Sequence, residues 1–314
     1  MNIDFIGDIH GHAGALERLL EKLGYERFRS GYKHPKRKVL FLGDYIDRGP
    51  QQLEVLNIVR SMTDSGHALA LMGNHELNAI GWMTPSVENT GEFLRPRNGE
   101  KGAKNRNQHQ AFLDQVGEDS ATHHEWVDWF KSLPLWIETE QFVAVHACWS
   151  PSLTSHLDSV LSTDKCLRAD GLQSVFSPGH ATYEAIETLL KGLEVDLPSG
   201  VGFADKDGHY RTKMRVKWWE CDAATYKDAY IGPPGVDIPN SPMPDDCKVE
   251  PDDRKIFFGH YWLNPKQGVG PMTRKAACLD YSVAKGGLLA AYRDDGLPNL
   301  SVSNFVTAGS MHAD

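Results

Sequence analysis

Three apolar runs in the first quarter of the chain end alike, in a glycine followed by carboxylate, amide or imidazole side chains. Residues 2–6 lead through Gly7 to Asp8 and His10. Residues 39–43 lead to Asp44, Asp47 and Arg48, and residues 68–73 lead to Asn74 and His75. Between these runs lie helical patterns. Residues 13–23 carry Leu16, Leu19, Leu20 and Leu23 at i, i+3, i+4, i+7, and Gly24 stands where a helix stop is expected. Residues 51–62 form a second amphipathic stretch, opened by Pro50 near its first turn. A βαβαβ order implies a parallel sheet covered by helices, with functional loops at the strands' C-terminal ends. Neighbouring strands in such a sheet lie less than about 5 Å apart, so the three loop tips converge.

Two later segments repeat the idea. FVAVHACW (142–149) is a strand bearing His146, and KIFFG (255–259) is a strand running into His260. Five strand ends therefore supply aspartate, asparagine and histidine, a mixed oxygen and nitrogen set that suits manganese, iron, zinc, cobalt or magnesium. The plainer alternative is that Asp8, His10, Asp44, Asn74 and His75 are turn and capping residues, for which Asp and Asn are favoured. Three matching segments in order weigh against it.

GDIHG (7–11), GDYIDRG (43–49) and GNHE (73–76), followed by isolated histidines at strand ends, resemble the calcineurin-like metallophosphoesterases, specifically the phosphoprotein phosphatase branch in its bacterial style. The resemblance is specific across residues 2–76 and thinner at VAVHACW and FFGHYW. It implies one metal held by Asp8, His10 and Asp44, and a second held by Asp44, Asn74, His146 and His260, with Asp44 bridging. It implies two divalent ions, manganese first, with iron, zinc, cobalt, nickel and magnesium also compatible. Such a pair activates a hydroxide that attacks phosphorus in line, and its charge lets an acidic protein attract phosphate. His75 would protonate the leaving oxygen, Asp47 would orient His75, and Arg48 would bind a phosphoryl oxygen. Glu76 supports the motif and receives no chemical role.

The chain departs from the protein phosphatases in two places. Met72 stands where an arginine usually precedes GNHE, and the second phosphate-binding arginine has no clear counterpart. Arg211 and Arg215 are the candidates, with Lys213 and Lys217 as rivals, and all four also read as solvated strand residues. The basic stretch 94–106, with Arg95, Arg97, Lys101, Lys104 and Arg106, reads as a loop, solvated or closing over substrate. KHPKRK (33–38) reads as a solvated turn. Trp262 is a candidate for stacking on a base, and Asp280 for supporting the site from behind.

Composition bounds the rest. The 314 residues are 40% apolar and 24% charged, with no apolar run approaching the roughly 20 residues a bilayer span needs and no secretory signal in MNIDFIGD. Five scattered cysteines suggest reduced thiols and a cytoplasmic protein. A formal charge of −9 disfavours nucleic acid and anionic membranes as partners. The expected fold is a single α/β domain, a four-layer αββα sandwich of the metallophosphoesterase type, with residues 150–254 as an inserted elaboration that covers the site. Strands are expected at 276–283, 287–293 and 300–306, helices at 108–116, 124–130, 152–162 and 182–193, and a turn at 206–208. The expected activity is metal-dependent hydrolysis of a phosphate ester, of the Ser/Thr-phosphatase kind. The alternative is a dinucleoside polyphosphate hydrolase, and the rival from another class is a non-catalytic metal-binding scaffold. The partner is then a phosphoprotein or a small phosphorylated molecule such as a nucleotide.

Overall fold

Strand β1 (Ile3–Ile6) is buried along its whole length, so both of its faces need a partner. The computed structural model, which describes residues 2–204 and 210–309, supplies one on each side. The turn expected at 206–208 lies outside the described residues. β1 pairs in parallel with β2 (Lys38–Phe41), which pairs in parallel with β3 (Ala68–Ala70). A second sheet is formed by β4 (Trp136–Glu138), β5 (Phe142–Val145), β6 (Lys255–Phe258) and β7 (Ala276–Cys278), in the order β7-β6-β5-β4. The first sheet is completed by β8 (Asp280–Tyr281), β9 (Leu288–Arg293) and β10 (Phe305–Gly309). β9 lies antiparallel between β1 and β8 and also pairs with β10.

The two sheets face each other through alternate residues of their strands. Ile3, Phe5, Leu40 and Leu42 from the first sheet share one buried cluster with Phe142, Ala144, Phe257 and Ala277 from the second. Phe5 stacks on Phe257 with ring centroids 3.7 Å apart. On the outer face of the first sheet lie α1 (Ala13–Lys22) and α2 (Gln52–Asp64), whose Leu16, Leu19, Leu20, Val55, Val59 and Met62 are buried. Beyond the second sheet lies α6 (Ala181–Lys191), with Ile186 and Leu189 in the core. The layers run α-β-β-α, the sandwich expected from the motifs.

The early and late parts of the chain do not form separate halves. β9 is hydrogen-bonded beside β1, so late strands complete the first sheet. The carboxylate of Asp4, fully buried on β1, fastens this arrangement. It accepts from Arg37 Nε (3.0 Å to each oxygen), Arg293 Nε (3.1 Å) and the Tyr25 hydroxyl (2.9 Å). A buried carboxylate is tolerated only when paired and hydrogen-bonded in this way. Arg37 is therefore a structural residue, where KHPKRK reads as a solvated turn.

Other differences are local. The basic stretch is not a loop for most of its length, because α4 (Gly99–Val116) begins inside it. Its buried face is Gly102, Asn105, His109, Phe112, Leu113 and Val116, correctly spaced for a helix but half polar, so apolar periodicity hides its first half. α3 (Asn74–Met83) grows directly out of GNHE, and α5 covers Ala121–Lys131. The helix expected at 152–162 is only the short turns Pro151–Thr154 and Ser155–Leu157. The last strand lies at Phe305–Gly309 rather than 300–306, and 276–283 is broken into β7 and β8. Between β5 and β6, the ladder Glu194–Asp196 with Lys213–Arg215 nucleates a small separate core of Val195, Met214, Val216, Tyr226 and Met243.

Candidate metal and active site

The loops after β1, β2, β3, β5 and β6 meet at one end of the sandwich. Ten non-glycine residues have positive φ among the described residues, and six of them are His10, Asp44, Asp47, Arg48, His260 and Trp262. Strained backbone concentrated at one place marks a site held in shape by its surroundings. The packing there leaves no room for side-chain carbon. A Cβ on Gly73 would lie 2.3 Å from Asp44 Oδ1, and one on Gly259 would lie 1.9 Å from Asp8 Oδ1.

Asp44 Oδ2 is the centre. His146 Nε2 stands 3.4 Å from it, His10 Nε2 3.6 Å and His75 Nε2 3.9 Å. Each ring is oriented from behind. His10 Nδ1 donates to the Ile46 carbonyl (2.9 Å), His146 Nδ1 to the Leu42 carbonyl (2.8 Å), and His75 Nδ1 to Asp47 Oδ2 (2.5 Å). That back-bonding fixes the tautomer which leaves Nε2 of His10 and His146 facing inward. His260 Nδ1 lies 2.8 Å from Asn74 Oδ1, and His146 Nε2 is 3.2 Å from the same oxygen. Asp8 accepts the backbone N–H of His260 with both oxygens, at 3.2 and 3.0 Å.

These donors fit divalent cations. Nε2 of His10 and of His260 are buried without a hydrogen-bond partner, which is costly unless another acceptor of the lone pair is present. His10, Asp44 and His75 form one set whose ligand atoms all lie within 4.8 Å, and Asp44, His146 and His260 form another, with Asp44 common to both. His75 stands in the first set where the motif reading had Asp8, whose carboxylate lies beside it against His260. Electrostatics agree with a cation requirement. Burial, then Asp280, pushes Asp8 well above the usual carboxylate range. Burial lowers His10 to about 4, keeping it neutral as a ligand must be. Burial opposes charge on His146 too, but Asp44 outweighs it and raises that ring to about 10. The carboxylates demand positive charge here, and a proton is one way of supplying it.

Glu76, given no role from sequence, holds two loops together. Its carboxylate accepts backbone N–H groups of Gly73, Asp44 and Tyr45, each at 2.9 Å. Asp47 is shared between two histidines, because His109 Nδ1 donates to its other oxygen at 2.8 Å. Asp280, named as a support, accepts the backbone N–H of Trp262 (2.7 Å) and of Ser282 (2.9 Å). It thereby holds the loop that carries Trp262 beside His10, the two rings 5.5 Å apart and nearly parallel.

A cavity of about 340 Å³ opens over this cluster. Arg48, Arg95, Lys191 and Arg215 bring four cations to its wall, and Trp262 and Asn78 also line it. Arg95 Nη1 donates to Asn78 (2.5 Å) and Nη2 to Gln108 (2.8 Å), both amide oxygens rather than carboxylates. Of the two arginines considered in 209–220, Arg215 reaches the cavity. Arg211 is exposed, lies 3.4 Å from Glu194 and is not on the cavity wall. The rest of the basic stretch turns away, Arg97 to Asp119 and Arg106 to Glu118. His109 and Lys191 stand in no motif of the sequence, and nothing there singles out Arg95 from the other cations of 94–106. The helical spacing of Gly102, Asn105 and His109 was the one signal available for His109. Met72 is fully buried in the core, so its place before GNHE is a packing position.

Comparison with known proteins supplies the family. The profile of the calcineurin-like phosphoesterases matches residues 1–197. The asymmetrical bis(5'-nucleosyl)-tetraphosphatase PrpE of Halalkalibacterium halodurans is 46% identical over 76 residues, 24% of this chain and 31% of that protein. The chain thus aligns with about a third of the length of the first curated relatives it matches. The symmetrical bis(5'-nucleosyl)-tetraphosphatase of Chromohalobacter salexigens is 26% identical over 300 residues, 91% of this chain and 92% of that one. A solved cold-active protein-tyrosine phosphatase of a Shewanella species is 18% identical with a TM-score of 0.47, covering 99% of this chain and 80% of its own.

Proposed function

Because this chain belongs to the calcineurin-like phosphoesterase family, and is so a hydrolase of phosphate ester or anhydride bonds, we propose that it cleaves an anhydride bond in dinucleoside polyphosphates. One observation carries the choice. Four cationic side chains from four separate segments line a single cavity beside the Asp44 cluster. A phosphoserine or phosphothreonine offers one phosphoryl group, which needs few cations. A polyphosphate chain bears negative charge on every phosphoryl unit and repays a row of them. The full-length likeness to a symmetrical bis(5'-nucleosyl)-tetraphosphatase favours the same reading over the phosphoprotein phosphatase expected from the motifs.

Asp8, His10, Asp44, Asn74, His146 and His260 would hold two divalent cations, manganese first, with Asp44 common to both. Such ions supply charge neutralisation at the phosphoryl group and a more acidic water. His75 would hold a proton on Nε2 for the leaving phosphate oxygen. Burial works against its charged form, but Asp44 and Asp47 outweigh that and raise its pKa above the ordinary value. Asp47 orients the ring. Arg48 would grip the phosphoryl group under attack, and Arg95, Lys191 and Arg215 the phosphates beyond it. Trp262 stands on the same wall with the Arg48 guanidinium 5.7 Å from its ring centre, but His10 stacks on it at 5.5 Å and Lys285 Nζ lies over it at 4.0 Å, so a base stacking there would displace Lys285. Residues 150–254 serve as an insertion within one domain, and they bring Lys191 and Arg215 to the cavity. Among the described residues no helix is long and apolar enough to cross a membrane. The five cysteines, none of them in a disulfide, fit the cytoplasm as the working compartment.

The experiment is a substrate panel on manganese-loaded protein: diadenosine tetraphosphate, p-nitrophenyl phosphate and a phosphoserine peptide. The expected result is a kcat/KM for the dinucleotide at least ~10²-fold above the other two, a difference of roughly 2.7 kcal/mol in transition-state binding. Equal or better turnover of the phosphopeptide would return the protein phosphatase reading to first place.

A further inference from the structure

Asp47 uses both carboxylate oxygens on imidazoles. Oδ2 receives His75 Nδ1 at 2.5 Å, and Oδ1 receives His109 Nδ1 at 2.8 Å. His109 comes from the buried face of α4, a helix that supplies none of the sequence motifs, and it is 3% exposed. Phe112 and Trp82 pack around it, with ring centroids 5.1 and 6.0 Å away. The backbone of Asp47 is fixed as well. Its φ is +69°, and its backbone N–H is already engaged by Gln52 Oε1 at 2.7 Å.

A carboxylate bonded at one oxygen can still rotate about its Cβ–Cγ bond, since that torsion is broad and roughly two-fold. A second charge-assisted donor on the other oxygen removes the freedom. The plane of the carboxylate then fixes where the His75 ring points, and so where Nε2 meets the cavity. We infer that His109 is a positioning residue: its Nδ1–H locks the Asp47 carboxylate so that Asp47 can hold His75 on the leaving group. The inference rests on the phosphohydrolase reading of His75 for its consequence in turnover, but the hydrogen bond itself does not depend on that reading.

Two measurements separate the two. The first compares His109→Leu, which keeps bulk without a donor, with His109→Asn, whose side-chain N–H can stand where the imidazole Nδ1–H stands. Loss of one hydrogen bond to a charged group is worth about 1.5–3 kcal/mol, so His109→Leu is expected to lower kcat by roughly 10- to 100-fold. KM should stay within about twofold, and His109→Asn should recover most of the rate. Thermal melts establish that both variants are folded. A His109→Leu protein with wild-type kcat, or one in which only KM moves, overturns the inference. The second measurement is ¹⁵N NMR of histidine-labelled, magnesium-loaded protein. A protonated Nδ1 on His109, assigned by its loss in His109→Asn and shifted by Asp47→Asn, is expected. An unprotonated Nδ1 on His109 overturns the inference whether or not any substrate is turned over. A wild-type protein that hydrolyses none of the panel, yet keeps this NMR signature, overturns the proposed function and leaves the hydrogen-bonded arrangement standing.

Discussion

Gly259 and Asp8 are in such close approach that a single methyl group on Gly259 would lie 1.9 Å from Asp8 Oδ1. The two residues are 251 positions apart, yet each fixes the other, because the His260 N–H next to Gly259 donates to both oxygens of Asp8. Gly259→Ala must therefore push Asp8 aside. The expected outcome is a folded protein whose metal affinity is at least ~10-fold lower, a loss of about 1.4 kcal/mol in binding. Isothermal titration with manganese reads it directly.

Asp44 is the one carboxylate common to both tight donor sets. Asp44→Asn keeps the shape and removes the charge that two cations would share. Turnover should fall at least ~100-fold while circular dichroism is unchanged, in line with the loss of several kcal/mol of charge stabilisation. Elemental analysis should show fewer bound metal equivalents than in the wild type, and treatment of the wild type with a chelator should reproduce the loss reversibly.

Arg95 faces the cavity with its guanidinium on amide oxygens of Asn78 and Gln108. Burial disfavours its charge, so an anion arriving there gains a partner that has no carboxylate to leave. Arg95→Gln should raise KM for diadenosine tetraphosphate by about tenfold, near 1.4 kcal/mol. The small monoester p-nitrophenyl phosphate, too short to reach it, should be affected by no more than about twofold. An equal effect on both would remove Arg95 from the polyphosphate subsite.

Asp252 governs a separate property, acid stability. The Arg254 side chain beside it holds its pKa at about 2, and the carboxylate also accepts Trp149 Nε1 at 2.9 Å. A carboxylate whose pKa is depressed on folding adds stability that is complete above its unfolded pKa, near 3.8, and vanishes as pH falls toward 2. Solvent screening reduces the contribution to roughly 1 kcal/mol. Asp252→Asn should lower stability by that amount at pH 7 and narrow the gap from wild type between pH 4 and pH 2. Urea melts at several pH values would show it.

The first sheet's parallel core and the loop tips were legible because each strand was apolar and ended in the same chemistry. His10, Asp44, His146 and His260 fall in the two tight donor sets and Asn74 bonds to both His146 and His260, while Asp8 stands outside those sets on the His260 backbone N–H. The α4 helix was not legible over its first half, since Gly102, Asn105 and His109 face inward and break the apolar rhythm that reveals a buried face. The pairing of β9 with β1 was equally hidden, because antiparallel partners distant in sequence leave no local trace. Lys191 and Arg215 could not be told from surface cations by spacing alone. Only the way the chain folds back between β5 and β6 brings them to the cavity.

The bond between Asp4 and Arg293 has a consequence for how the protein comes to exist. β1 precedes β9 in the chain, so one flank of it stays unpaired until β9 has been made. The Asp4 carboxylate likewise waits for Arg293, and the metal-type donors wait for His260. A nascent chain carrying the GDIHG, GDYIDRG and GNHE motifs thus has an open, apolar strand flank and a half-built pocket until residues 255–293 have been made. Closing the flank of the first sheet, pairing Asp4 with Arg293 and seating Asp8 on the His260 N–H all wait on the same late stretch of chain.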